Sequence, residues 1–310
     1  MTTDKAPFSL PPDGEVFTND ILERAEELIN AGIWEGLDGV RVRTWMQNFE
    51  TAEEQYFAAC VLDALIYRPN SQTVAMMEQM LERVLPDLTR LDPPPRGVAV
   101  DWSEALRASP KEGDHRIRIV PVIRDNDPPT KSGPLMARIY RRRLRVNDHW
   151  MIWPWQLREA IEKGVKTVLF IDDFLGAGTQ FVSFTQVFKI GELLENVYAV
   201  YAPLVAHSQG IKHIRDHLSA LKVCAVEILE SRYGLFAPDS MYFHDGKNSP
   251  SCAKRFYEDL IKRRLPDVEE RYREGWGKLQ LAYAFEHAVP NNCLPILWHQ
   301  TVKWNALFER

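Results

Sequence analysis

In the stretch FIDDFLGAGTQ, Phe170 to Gln180, two adjacent carboxylates follow an apolar run and precede a bend with two glycines. Thr167 to Ile171 is apolar and β-branched enough to form a central strand. Asp172 and Asp173 are therefore expected at its carboxyl end, where open α/β sheets bind their ligands. Gly176 and Gly178 admit backbone conformations closed to other residues. The N–H groups from Gly176 through Ala177, Gly178, Thr179 and Gln180 can then turn inward, and a helix starting near Gln180 adds its positive end. That is a cradle for a dianionic phosphate, to which the Thr179 hydroxyl contributes. A carboxylate repels a phosphate unless each addresses a different part of one ligand. A sugar phosphate supplies that separation, with vicinal ribose hydroxyls for the acids and the 5-phosphate for the loop.

Competing loops fail on composition. A phosphate loop of the GxxxxGK[ST] kind needs a lysine that this stretch lacks. A dinucleotide fingerprint needs a third glycine, where GAGTQF has Phe181, and an acid about twenty residues downstream rather than two ahead of the loop. A plain strand-to-helix turn capped by aspartate would require only one Asp.

Other clusters carry weaker signals. The run RIYRRRLR sets Arg138, Arg141, Arg142 and Arg145 on one helical side, facing either solvent or a phosphate backbone. HWMIWPW follows it with Trp150, Trp153 and Trp155, and basic-aromatic interleaving of this kind suits RNA or single-stranded DNA, although core packing also uses tryptophan. His213 and His217 stand at i, i+4 without an HExxH glutamate or an apparent third zinc ligand. His115 and His244 give no usable signal.

The chain that must position these groups has 310 residues and 45% hydrophobic content, enough for one large domain or two smaller ones. Its 38 Lys and Arg against 43 Asp and Glu leave a net charge of −5, so any nucleic-acid contact has to be local. The polar, Pro-rich start has no apolar leader core and no uncharged apolar stretch approaches membrane-spanning length, so a cytoplasmic protein without membrane association is expected. Cys60, Cys224, Cys252 and Cys293 lack metal spacing and read as buried free thiols.

Three segments are expected. Residues 1–95 form a helical extension: NDILERAEELINAG offers Asn19 or Asp20 as N-cap and Gly32 as stop, TAEEQYFAACVLDALIY continues the pattern, and SQTVAMMEQMLERVL starts at Ser71. Met76, Met77 and Met80 read as packing residues, and PDLTRLDPPPRG breaks the helix and links to the next segment near Gly97. Residues 96–235 alternate strands and helices, the pattern of a mostly parallel α/β sheet. The strand candidates are 116–123, 166–171, 197–205 and 222–229. Residues 236–310 form a cap with a turn-rich opening, a charged helix CAKRFYEDLIKRR and an irregular aromatic tail.

VLFIDDFLGAGTQ resembles the signature by which type I phosphoribosyltransferases bind 5-phosphoribosyl-1-pyrophosphate (PRPP). With TWMQNF, KSGPLMARIYRR, YAFEHAVPNNCLPILW and WNALFER, the chain is similar more narrowly to phosphoribosyltransferase-like (PRTase-CE-like) proteins of bacterial conflict and antiphage systems, some encoded beside reverse transcriptases. The resemblance implies a type I phosphoribosyltransferase fold, with Asp172 and Asp173 on the ribose hydroxyls and, indirectly, on Mg²⁺. It implies that Gly176, Ala177, Gly178, Thr179 and Gln180 hold the 5-phosphate. Ala177-Gly178 replaces the Thr-Gly of many members, and Gly176 stands where purine-salvage members carry an acid. The pyrophosphate loop of type I enzymes corresponds to RDNDPPTKSGP, where Lys131, Ser132 and Gly133 precede a helix and Arg124 stands nearby. Ser132 as a plain N-cap is the alternative. The variable hood that selects the base falls in the tail, where Glu286, Asn291 and Asn292, beside His287, are the candidates, although Pro-Asn-Asn is also ordinary turn chemistry. The activity implied is transfer or hydrolysis at the anomeric carbon, as a phosphoribosyltransferase, glycosyltransferase or nucleotide N-glycosidase. The alternative is a non-catalytic sensor or adaptor docking a defence protein or a reverse transcriptase and its RNA.

Overall fold

The computed structural model describes residues 7–93, 101–128, 130–243 and 245–309. The expected boundary at 95/96, the end of the linker near Gly97, His244 and the last residue of WNALFER lie outside them.

In chain order the elements begin with α1 (Gly14–Asn30), α2 (Gly39–Met46), α3 (Ala52–Asp63), β1 (Ile66–Arg68), α4 (Asn70–Gln79), a π-helical turn (Met80–Val84), α5 (Leu85–Leu91) and α6 (Trp102–Arg107). There follow β2 (Ile117–Pro121), α7 (Ser132–Leu144), α8 (Leu157–Glu162), β3 (Thr167–Leu175), α9 (Thr179–Val187), α10 (Ile190–Leu193), β4 (Tyr198–His207) and α11 (Ser208–His217). β5 (Lys222–Val223), β6 (Glu227–Leu229), α12 (Pro250–Arg264) and β7 (Tyr283–Phe285) complete the chain.

Several boundaries differ from expectation for identifiable reasons. α1 starts at Gly14, with Asp13 in the N-cap position, so Asn19 and Asp20 lie inside the helix. α5 carries the helical path through Pro86, which is tolerated because it sits in the first turn of that segment. α3 starts as its sequence suggests, with the Thr51 hydroxyl accepting from Glu54 N at 3.2 Å. The expected strand 222–229 is split into β5 and β6, both pairing with β4.

Two compact units divide the molecule: Met1–Ser71 with Glu230–Arg310, and Gln72–Leu229. The segments read as a helical extension and as a cap thus contribute to one unit, joined by the parallel pairing of β1 with β7, Ile66 opposite Tyr283. In that unit Glu54, 1% exposed, accepts from Arg263 at 3.1 Å and from Arg264 at 3.3 Å. Met76, Met77 and Met80 are buried.

The second unit holds a parallel sheet in the order β2-β3-β4-β5, with β6 also on β4. Val168 and Phe170 of β3 pack with Tyr201 of β4, Leu157 of α8, Phe181 and Phe184 of α9 and Ile214 of α11. Both central strands are buried along nearly their whole length, as expected where helices cover both faces of a parallel sheet. All four cysteines are free; burial pushes the Cys60 and Cys224 thiols up to about 12, so neither is a reactive thiolate. Among the described residues, no helix is long and apolar enough to cross a membrane.

Candidate functional site

β3 does not stop at Ile171. Its pairing with β4 continues through Asp172 opposite Pro203 and Phe174 opposite Val205 to Leu175 opposite Ala206, so the two acids are carried inside the strand's last turns of pleat. Both are buried, Asp172 at 5% and Asp173 at 8% exposure.

The Asp172 carboxyl is held on several sides. Its Oδ1 accepts from the Ser132 hydroxyl at 3.3 Å and from Asp173 N at 3.0 Å, and its Oδ2 accepts from the Tyr201 hydroxyl at 3.1 Å. Burial, then the charge of Asp173 and a carboxyl–carboxyl hydrogen bond, raise the Asp172 pKa well above the ordinary carboxylate range. A hydrogen bond between two carboxyls needs a proton on one of them. Among the described residues no arginine pairs with Asp172; its polar partners there are two hydroxyls, an amide and a second acid. Burial and Asp172 likewise raise Tyr201, which stays a donor.

Tyr201 was not foreseen, although a phenol within an apolar strand needs a partner for its hydroxyl. Its ring stacks on Phe181 at 3.8 Å between centroids. Phe181 occupies the third-glycine position of the excluded dinucleotide fingerprint, and the structure uses it as a packing post beneath the first turn of α9.

Beyond Leu175 the chain bends through Gly176, Ala177 and Gly178, all buried, and enters α9 at Thr179, with Thr179 and Gln180 exposed. Gly178 is the N-cap at φ +86, a left-handed conformation that only glycine takes readily. The first amides of any helix lack intrahelical acceptors, which makes a helix start of this kind a common place for an anion. α11 lies directly behind this bend. A Cβ on Gly210 would stand 2.0 Å from Gly176 O, and one on Gly178 would stand 3.0 Å from His213 Cδ2. Gly210 had no signal beyond being a glycine. His213 and His217 are in ring contact at 4.2 Å, and His213 sits beside Gly178. Among the described residues no cluster of three or more His, Cys, Asp or Glu could hold a metal.

Gly210→Ala is expected to displace α11 or the bend, because ordinary C···O contact needs roughly 3.3 Å, and to destabilise by about 1–3 kcal/mol. Gly191→Ala in α10, whose nearest atom to an added Cβ is 3.8 Å away, is expected to be neutral or stabilising. Urea denaturation of the two variants measures the contrast.

The second anion loop has the expected local form with one reassignment. Lys131 is the N-cap of α7 without a side-chain cap bond, and Ser132 is the first helical residue rather than the cap. Its hydroxyl turns to Asp172 instead. Gly133 is required by packing: a Cβ there would meet Val122 O at 2.6 Å. Arg124 is engaged by Asp127 at 2.7 Å. The Ser132–Asp172 contact therefore brings the start of α7 to the acids, and Gly176–Gly178 leads from the same strand into α9.

The tail candidates belong to the other unit. There Glu286 accepts from Asn70 N at 2.8 Å, Asn292 donates to Trp276 O at 2.7 Å, and Asn291 O accepts from Trp276 N at 2.7 Å. Asn292 is buried and its amide is spent on this turn. A cleft of about 1050 Å³ in that unit is lined by Asp38, Arg41, Thr44, Trp298, His299 and Phe308 among others, and by none of the three.

A parallel sheet carrying an acid pair at the end of one strand, followed by a glycine bend and a helix N-terminus, is the phosphoribosyltransferase type of α/β fold. The family model PRTase-CE matches residues 42–310, and the chain belongs to that family. Among curated proteins no match was found.

Proposed function

We propose that the chain binds PRPP, or a related ribosyl phosphate or nucleotide, together with Mg²⁺ and acts at the anomeric carbon by transfer or hydrolysis. The observation that carries this reading is the buried acid pair joined to two helix starts. One is joined through Ser132 at 3.3 Å, and the other follows along the chain through Gly178. Asp172 and Asp173 accept from the ribose hydroxyls, the amides and hydroxyl of 176–180 hold the 5-phosphate, and Lys131 with Ser132 and Gly133 receives the pyrophosphate. Two adjacent carboxylates are a hard donor set that suits Mg²⁺, which keeps few protein ligands and shares substrate oxygens. When bound, Mg²⁺ disperses the charge of the pyrophosphate oxygens. The bond from C1 to the pyrophosphate oxygen breaks as positive charge develops on the ribose. The Lys131 ammonium and the α7 amides, fixed before reaction, favour the departing anion. No protein nucleophile is required. A role as effector or regulator in antiphage defence, within the cytoplasm, rests on the family resemblance.

A second reading, a sensor or adaptor subunit docking a defence protein or a reverse transcriptase and its RNA, is favoured by one feature. The Asp172 carboxyl already accepts from the Tyr201 and Ser132 hydroxyls. Incubation with PRPP, Mg²⁺ and a panel of bases, read as released pyrophosphate, separates the two. Turnover that Asp173→Asn abolishes supports the enzyme; ligand binding without turnover on any acceptor supports the sensor.

A further inference from the structure

The fold leaves the arginine run of α7 and the tryptophans after it on the surface, and neither is used by the acid-loop site. Met136, Tyr140 and Leu144 form the buried stripe of α7. Arg138, Arg141 and Arg142 project from the opposite side with the exposed C-cap residue Arg145, and Arg143 is exposed beside them. Arg141 pairs with Asp148 at 2.9 Å. Among the described residues no carboxylate pairs with Arg138, Arg142, Arg143 or Arg145. Four cations gathered without counterions repel one another, and an anionic partner relieves this.

The three tryptophans separate into two roles. Trp150 is fully buried and donates from Nε1 to Ala108 O at 3.1 Å. Trp153 and Trp155 are 41% and 53% exposed, and their rings stack in parallel, 5.3 Å between centroids and 9° between planes. Such a pair keeps an outer ring face open to continue the stack. Asp148, the partner of Arg141, precedes Trp153 by five residues, a reach of at most about 17 Å. The segment between them is pinned to the edge of β2 by Ile152 N donating to Ile119 O at 2.9 Å. Charge stripe and aromatic platform thus lie within reach of one strand around the β2 edge of the Gln72–Leu229 unit.

We propose that this surface around the β2 edge, Arg138, Arg141, Arg142 and Arg145 with the stacked Trp153 and Trp155, docks single-stranded nucleic acid. A single strand offers the two features the surface complements, a row of phosphates for the arginines and unpaired base faces for the indoles. An acidic peptide supplies charge without flat rings, and a duplex hides its base faces in the stack.

The test uses the full chain with a fluorescein-labelled single strand of about twelve nucleotides, as DNA and as RNA, at about 50 mM salt. Anisotropy should show binding, with quenching of intrinsic tryptophan fluorescence. Trp153→Ala with Trp155→Ala is expected to weaken binding about tenfold or more without changing its salt dependence. Arg142→Gln with Arg145→Gln is expected to lower the slope of log K against log salt by about 1.4, roughly 0.7 for each lost contact. All four positions are exposed, so folding is preserved, and circular dichroism checks it. Absence of binding, equal affinity for a duplex or for polyglutamate, or indifference to loss of the tryptophan pair would overturn the proposal.

Discussion

A chain carrying both Asp172→Asn and Asp173→Asn is expected to bind Mg²⁺ with PRPP at least about a hundredfold more weakly than the wild type. Hydrogen bonds to charged groups contribute about 1.5–3 kcal/mol each, and two acids on two ribose hydroxyls place the loss at about 3–6 kcal/mol. Calorimetric titration of both proteins measures it. The single substitutions differ in kind. Asp172→Asn keeps a carbonyl for Asp173 N and an amide for the Tyr201 hydroxyl, whose oxygen can accept as well as donate. Asp173→Asn removes the neighbouring negative charge that raises the Asp172 pKa. The double variant therefore shows the largest effect, while a loss below about threefold in it places the ligand elsewhere.

The second large effect is on stability rather than binding. Asp172 has a folded-state pKa raised by burial and by Asp173, whereas in the unfolded chain it titrates near 3.9. Below the unfolded value both states hold the proton and Asp172 contributes no pH dependence. As pH rises through the window between the two values, the unfolded state releases a proton that the folded state keeps. Folding stability then falls by up to about 1.4 kcal/mol per pH unit and levels off above the raised folded value. Asp172→Asn removes this penalty. Thermal unfolding of the ligand-free proteins should show the Asn variant gaining on the wild type between weakly acidic and neutral pH, with no such gain near pH 4. A wild type whose stability relative to the variant is independent of pH would mean that the carboxyl pair is not strained.

How far the site was legible follows from where its information lies. The apolar strand, the acid pair and the two glycines are contiguous, so FIDDFLGAGTQ disclosed the strand-to-helix turn and its left-handed Gly178. β3 runs past the expected end at Ile171, where two aspartates in sequence resemble a strand exit. Pairing with β4 carries Phe174 and Leu175 onward, and that pairing is not local. Tyr201 and Gly210 come from β4 and α11, and nothing in their own neighbourhoods tells that one donates to Asp172 or that the other meets Gly176. The helical extension and the tail gave no sign of sharing a unit, since the β1–β7 pairing joins residues more than two hundred positions apart. For the same reason the bond from Asn292 to Trp276 O is not legible in the tail sequence.

The acid pair and the bend behind it are held to grip the two ends of one ribose phosphate, and a crystal structure with Mg²⁺ and PRPP tests this most directly. The expected density places the 5-phosphate within hydrogen-bond distance of the amides of residues 176–180 and the ribose hydroxyls on the carboxyls of Asp172 and Asp173. Ligand bound away from that turn, with Asp172 still closed onto Tyr201 and Ser132, would contradict the account.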